Sequence, residues 1–301
     1  MIESVLQQDY PNFELIIVND GSTDNSSKII ANYAESDKRI ILINQANSGK
    51  PSIARNHGLK NSTGEYICYL DADDSFMPDK LSKVMNGFKE NPDFDFIFHD
   101  YSQTDENLSI IENSFLHKHI STERFNHIFN INSKDCRTPK VSLYKFSLFQ
   151  TPLLWTGSIA FKKASYPVNN ILFDESLSCA EDILMWNYLI TQGQGAYIDE
   201  PLACYRDSPN SITKNIAQLD LDNYHYYQMN IDAPLEALSQ EENTTLLQMA
   251  EDNLLSAAYG FLDKKAYKKA LQLNLKAISA NFSIKNVVLL CKSLLKTLFR
   301  K

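Results

Sequence analysis

Glu65-Tyr66-Ile67-Cys68-Tyr69-Leu70-Asp71-Ala72-Asp73-Asp74 joins an apolar run to three carboxylates within four positions. Tyr66 to Leu70 reads as a strand, and the carboxylates stand where it should stop. Packed together they repel one another. A hard divalent cation such as Mg²⁺ or Mn²⁺ relieves that repulsion by taking carboxylate oxygens. Bound Mg²⁺ usually keeps substrate phosphates among its ligands, so the run points to a phosphate-bearing substrate. For a D-x-D alone the ordinary reading is a solvated acidic turn, and its surroundings must decide between the two.

Upstream, Glu14-Leu15-Ile16-Ile17-Val18 reads as a strand buried on both faces. It ends in Asn19-Asp20-Gly21. Ser22-Thr23-Asp24 then offers helix caps ahead of Ile29, Ile30 and Tyr33. Arg39 to Ile43 repeats the strand pattern, and Ser52 to Lys60 reads as a short helix. Downstream, Pro78 suits a helix N1 position before the apolar face Leu81, Val84, Met85 and Phe88. Phe94 to Phe98 gives a fourth strand. Strands alternating with helices predict an α/β fold with a mostly parallel, doubly wound sheet. Asp20 and Asp71 to Asp74 then both fall at carboxyl ends of strands, where ligands of open α/β sheets bind. A solvated turn has no reason to choose that edge twice.

Beyond Asp100 the pattern loosens into an aromatic-rich excursion reaching Leu154. Gly157 to Phe161 returns to a strand. Glu181-Asp182 opens a helix carrying Ile183, Leu184, Trp186 and Leu189 and closing near Gly193. Ala196 to Ile198 and Leu202 to Tyr205 read as two short strands. Past Ile216 the pattern is helical, with Ala257, Phe261, Tyr267, Ala270, Leu271 and Leu275 suggesting a helical hairpin.

At 301 residues the chain has room for one α/β domain plus an appendage. Its 44% hydrophobic and 22% charged residues are ordinary for a soluble globular protein. No apolar run approaches the roughly 18 residues that span a bilayer, and the start does not read as a signal peptide. Cys68, Cys136, Cys179, Cys204 and Cys291 are scattered, without a C-x-x-C, which favours free thiols in a reducing compartment. From Lys264 to Lys301 there are ten Lys or Arg and no acid; taken from the net -8, they leave -18 on Met1 to Asp263. An acidic body argues against nucleic acid as a partner.

Glu3 to Asp24, Asn47-Ser48-Gly49, Ala54-Arg55-Asn56 with Gly58, and Thr63 to Asp74 stand in an order similar to that of family 2 glycosyltransferases. Glu181-Asp182 with Trp186, and Asp199 to Arg206, resemble the later blocks of that family. The resemblance runs from Ile2 to Thr213 with the middle unmatched. It implies a GT-A fold over residues 1–215, with a nucleotide-binding half at about 1–100 and an acceptor half at about 101–215, followed by a helical region at 216–301. It also implies inverting transfer of a sugar from a nucleoside-diphosphate donor, a UDP-sugar above all, with Mg²⁺ or Mn²⁺. The acceptor would be a saccharide or a lipid-linked one, in cell-surface glycan synthesis at the cytoplasmic side.

By the same resemblance Asp20 would accept a hydrogen bond from the nucleotide base and Arg55 would lie against the nucleotide. Asp71 would lie near ribose or sugar, and Asp73 would hold the metal, with Asp74 a second candidate ligand. Asp182 would be the general base, with Glu181 its neighbour. The chemistry is consistent with this. A departing diphosphate gathers charge that a metal stabilises, and inversion needs a single base for the acceptor hydroxyl. Asp182 also stands at a helix N-terminus, where negative charge is favoured; simple helix capping by Glu181-Asp182 is the plain alternative. Arg206 could meet pyrophosphate as a bidentate donor or make a surface ion pair. Trp155 reads as core, with stacking on a sugar ring as the sharper reading; His57, His99, His117 and His119 read as structural or exposed.

Two departures from the family pattern stand out. The family begins with an apolar strand ahead of the one at Glu14 to Val18, in mid-sheet, and this sequence lacks it. The expectation is a strand edge without its neighbour, in a chain that is a fragment or has a misplaced start. Where many relatives carry His, two residues after the Arg, this chain has Ser208, a poorer metal ligand. These departures leave a non-catalytic nucleotide-sugar-binding or scaffold protein as the second reading. Sugar-nucleotide pyrophosphorylases would need a Gly-rich N-terminal loop, and D-x-D phosphatases a different residue at Asp74; neither pattern fits. In the tail, Lys285, Lys292, Lys296 and Arg300 oppose Val288, Cys291, Leu294, Leu295, Leu298 and Phe299 on a helical projection. That predicts an interfacial helix on anionic membrane, or else a terminal helix packed on the acidic body.

Overall fold

The computed structural model describes residues 1–130, 136–150, 152–208, 211 and 214–280. The chain divides into two compact units, one of Met1–Ser176 with Glu181–Pro209, the other of Leu177–Ala180 with the chain from Asn210 onward. Among the described residues no helix is long and apolar enough to cross a membrane. The basic stripe from Lys285 to Arg300 lies outside the described residues. Cys68, Cys136, Cys179 and Cys204 are free thiols.

The first unit opens with α1 (Ile2–Leu6), β1 (Leu15–Asp20), α2 (Ser26–Ser36), β2 (Ile40–Gln45) and α3 (Pro51–Asn61). β1 and β2 pair in parallel, Leu15 opposite Ile40 and Asp20 opposite Gln45, which brings the two strand ends to one edge. Then come β3 (Tyr66–Cys68), β4 (Ser75–Phe76), α4 (Lys80–Glu90), β5 (Phe96–Thr104), β6 (Ile110–Glu112), α5 (Phe115–His119), α6 (Thr122–Ile128), α7 (Leu143–Phe149), β7 (Ile159–Lys162), α8 (Glu181–Gln192) and β8 (Gly195–Arg206). These strands form a second sheet in the order β3-β7-β5-β8-β4, with β6 on β5. β5 is buried along almost its whole length, as a central strand covered on both faces must be. α4 lays Val84 and Phe88 on this sheet, and Gly87 lets it lie close, since a Cβ there would stand 2.7 Å from Ile97 Cδ1.

Several expectations are corrected in detail. The second sheet is mixed: β7 enters antiparallel between β3 and β5, and only β5 and β8 run parallel within it. The two short strands expected at Ala196 to Ile198 and Leu202 to Tyr205 are one strand, β8. Its register against β5 shifts around Asp100, where Pro201 sits opposite, so the irregularity absorbs the proline. Pro78 is not the first residue of a helix; Asp79 is the N-cap and Lys80 begins α4. β1 is hydrogen-bonded to β2, β3 to β7, and no ladder joins β1 to β3.

The second unit is helical: α9 (Ile216–Asp232), α10 (Gln240–Asp263) and α11 (Tyr267–Ala280). A capping box of Ser239 and Glu242 starts α10. Gly260 permits close approach to α9, because a Cβ there would stand 2.6 Å from that of Ala217. Leu254, Ala257, Ala258, Leu262 and Ala270 fill the core between the helices.

Candidate active site

Asp20 ends β1 and is half-buried. Its Oδ1 accepts from Gln45 Nε2 at 2.7 Å and from the Ser48 amide at 2.9 Å, and its Oδ2 from Ser48 Oγ at 2.8 Å. Burial works against ionisation there, but the hydrogen bonds from Gln45 and Ser48 outweigh it and hold the carboxyl below its ordinary range. His57 Nδ1 meets Gln45 Oε1 at 2.7 Å, so this histidine orients Gln45. Nothing in the sequence marks Gln45, and the Asn47-Ser48-Gly49 block is the only signal for Ser48.

Arg55, on α3, links two segments far apart in the chain. Its Nη2 donates to both carboxylate oxygens of Asp71 at 2.9 and 3.0 Å, and its Nη1 to Glu181 Oε1 at 2.7 Å. Burial opposes the charge on Arg55, but Asp71, Asp182 and Glu181 more than restore it, so the guanidinium is held firmly cationic. Its neighbour Asn56 exchanges hydrogen bonds with the backbone of Phe173, giving to the carbonyl at 2.9 Å and taking from the amide at 2.8 Å. The segment leading toward α8 is thereby tied to α3.

Glu181 begins α8 and its side chain is 6% exposed. Burial first, then the charge of Asp182, pushes its carboxyl up to about 7 against the pull of Arg55. The folded chain therefore keeps a proton on Glu181 up to about pH 7 that an ordinary glutamate loses near 4.5. Stability falls as pH rises through that window, by at most about 3 kcal/mol. Glu181→Gln keeps a partner for Arg55 and removes the ionisation. Its Tm is expected to overtake that of the wild type by several degrees between pH 4.5 and 7, as thermal melts in a pH series would show; parallel curves would contradict this.

Asp182 is half-buried; its Oδ2 accepts from Thr156 Oγ1 at 3.3 Å and its Oδ1 from the Ile183 amide at 2.8 Å. Thr156 lies in a tight turn just before β7 and was not singled out from sequence. Of the acidic run, Asp71 has a 39% exposed side chain, Asp73 is exposed, and Asp74 is 2% exposed. Asp74 Oδ1 accepts from the Arg206 amide at 2.9 Å. Burial, with the charges of Asp73 and Asp71 behind it, pushes Asp74 up to about 8 although the Arg206 amide and charge oppose. The Arg206 side chain leaves its Nε buried with no hydrogen-bond partner.

The structure thus places Asp71, Arg55, Glu181 and Asp182 in one hydrogen-bonded or electrostatically linked group, and Asp74 against Arg206. Asp20 stands with its own partners at the end of β1. No group of three or more His, Cys, Asp or Glu among the described residues could hold a metal alone. Mg²⁺ needs only one or two carboxylates when phosphates supply other ligands. The exposed Asp73 carboxylate and the orphaned Arg206 Nε fit a metal that comes with a diphosphate.

The family model for glycosyl transferase family 2 matches residues 1–151. An uncharacterized glycosyltransferase of Rickettsia felis is 30% identical over 96% of this chain and 43% of its own length. The uncharacterized glycosyltransferase YibD of Escherichia coli is 27% identical over 79% of this chain and 66% of its own. The chain spans less than half the length of its rickettsial relatives from R. felis and R. conorii. Among solved structures, S. aureus TarS 1–349 in complex with UDP-GlcNAc superposes with a TM-score of 0.59 at 18% identity, covering 98% of this chain and 83% of that one. The mannosyltransferase PcManGT from Pyrobaculum calidifontis, in complex with GDP-Man and Mn²⁺, gives 0.54 at 16%, covering 100% and 82%. At these identities the likeness speaks for the fold, which is that of the GT-A glycosyltransferases. The ordered sequence blocks, the sheet and the family match agree: the chain belongs to glycosyl transferase family 2.

Proposed function

We propose that the protein transfers a sugar, with inversion, from a UDP-sugar to a saccharide or lipid-linked acceptor in cell-surface glycan synthesis at the cytoplasmic face. The observation that carries this reading is the gathering of Asp71, Arg55, Glu181 and Asp182 beside the acidic run, in a chain of this family. TarS with UDP-GlcNAc and PcManGT with GDP-Man and Mn²⁺ support a nucleotide-sugar donor.

In this reading Asp20 accepts from the nucleobase with the lone pair that Gln45 and Ser48 leave open. Asp71, oriented by Arg55, lies along the ribose or sugar, and Arg206 turns its unpartnered Nε to the diphosphate. Asp73, with Asp74 as second candidate, would hold Mg²⁺ or Mn²⁺, which would supply positive charge to the leaving diphosphate. Asp182 takes the proton of the acceptor hydroxyl as its oxygen attacks the anomeric carbon from the face opposite the diphosphate. One bond forms as the other breaks, so configuration inverts. Glu181 stays protonated near neutral pH or pairs with Arg55, which leaves Asp182 as the base of the two.

Melting the protein with UDP and Mn²⁺ tests the donor site. At about one hundred times Kd, the ligand is expected to add about 2.7 kcal/mol and raise Tm by roughly 5 °C. Omitting Mn²⁺, or Asp73→Ala, should remove most of that gain. Equal shifts in all three cases would refute the metal-assisted site, and binding without turnover of any UDP-sugar would favour the non-catalytic reading.

A further inference from the structure

Lys80 is the first residue of α4 and has no solvent exposure. Its Nζ donates to the carbonyl oxygen of Gly157 at 2.8 Å and stands 3.3 Å from the centroid of the Phe76 ring. Among the described residues no carboxylate lies within ion-pair distance of it. Burying an ammonium without a counter-ion is costly, and methionine would fill the same volume without that cost. Burial indeed brings this amine down to about 7, with Cys68 on β3 partly opposing, and its charge is felt by the buried His99 on β5. So unfavourable a group needs a reason, and the Gly157 carbonyl is the one it meets.

Gly157 lies inside the turn Trp155–Ser158, which is knit together locally. The Ser158 amide and hydroxyl both donate to the Trp155 carbonyl at 2.8 Å, and the Trp155 amide donates to Ser158 Oγ at 3.0 Å. The Trp155 ring covers Gly157 so closely that a Cβ there would stand 2.4 Å from it. Tyr101 and Tyr205 flank that ring at 4.8 and 5.6 Å between centroids. The turn therefore moves as one piece, and its anchor to α4 is the Lys80 bond. On its other side Thr156 Oγ1 donates to Asp182.

We propose that Lys80 is a positioning residue: through the Gly157 carbonyl it fixes the Trp155–Ser158 turn, so that the Thr156 hydroxyl orients the Asp182 carboxylate. The functional half of this proposal rests on Asp182 as the base, as argued above. Without the amine, the Gly157 carbonyl loses its lysine donor in a buried position, a cost that a turn relieves by shifting. The Thr156–Asp182 bond, already long at 3.3 Å, is the first contact to fail.

The two tryptophans of the chain make this measurable. Labelling with 5-fluorotryptophan gives ¹⁹F resonances for Trp155 and Trp186, assigned with Trp155→Phe. In Lys80→Met the Trp155 resonance is expected to move while that of Trp186 keeps its position, and the Kd for UDP with Mn²⁺ should stay within twofold. Release of UDP from UDP-GlcNAc or UDP-glucose should fall at least tenfold in kcat, with KM for the donor unchanged. Thr156→Val should reproduce the kcat loss without moving the Trp155 resonance. An unmoved Trp155 resonance in Lys80→Met, or full turnover, overturns the proposal. If the wild type turns over no UDP-sugar, the base assignment fails, while the ¹⁹F shift still decides whether Lys80 sets the turn. Should Lys80→Met not fold, Lys80→Gln, too short to reach Gly157, is read by the same criteria.

Discussion

Asp182→Asn is expected to lower kcat for sugar transfer by about 10³-fold while leaving UDP affinity within a factor of two. General-base catalysis contributes typically 10² to 10⁴, and an amide has no comparable basicity. The replacement is nearly isosteric, so the oxygen that meets Thr156 Oγ1 and the one that meets the Ile183 amide can be partly reproduced. The fold should therefore survive, and a circular dichroism melt would confirm it. A second signature is electrostatic. The Asp182 charge is, after burial, the main cause of the raised Glu181 carboxyl, so removing it should flatten the fall in stability between pH 4.5 and 7. A variant that retains turnover would remove Asp182 as the base. One that loses turnover and UDP binding together would mean that it shapes the donor site instead.

Above about pH 8, where Glu181 is ionised, Arg55→Met is expected to cost about 3 to 5 kcal/mol of stability, the range for breaking a buried ion pair by removing one partner. Most of this should come from Glu181, whose side chain is 6% exposed, and little from Asp71, which is 39% exposed and partly solvated without its partner. The left-over Glu181 charge would stand beside Asp182 with nothing to balance it. Protonation is its escape, and Glu181 already holds its proton below about pH 7 in the wild type, so the loss should shrink as pH falls through about 7. Adding Glu181→Gln to Arg55→Met should recover a large part of the loss, and a double-mutant cycle in urea unfolding measures how much. A loss below 1 kcal/mol, or strict additivity of the two changes, would show that Arg55 and Glu181 are not energetically joined.

The strands β1, β2, β3 and the start of β5 were legible because each is a short apolar run bounded by turn residues, and the α8 start was legible from Glu181-Asp182 ahead of Ile183 and Trp186. The acidic residues could be read from their place just past strand ends, where α/β sheets bind ligands, although β3 has antiparallel β7 as its ladder partner and not β1. Strand direction within β3-β7-β5 was not legible, since an apolar run carries no sign of which neighbour it joins or from which side. Pro201 suggested a break between two strands, yet a register shift in the ladder accommodates it. The pairing of Arg55 with Glu181 joins residues 126 apart, and no local pattern announces it. Lys80 was the least visible of all. A lysine at the first turn of a helix reads as solvated, and only the packing of Phe76 and Gly157 around it reveals otherwise.

The separation of the β1-β2 ladder from that of β3 has a thermodynamic consequence. β1 and β2, with α3 behind them, are tied to the rest of the first unit by packing and by side-chain bonds, such as Glu14 to the Thr63 and Gly64 amides and Asn56 to Phe173. Backbone ladders make neighbouring strands open together; side-chain ties let one region open at lower free energy than another. Asp20 lies on one side of this seam and Asp182 on the other. A donor that reaches both would act as a clamp, and part of its binding energy would appear as cooperativity that the empty chain does not possess.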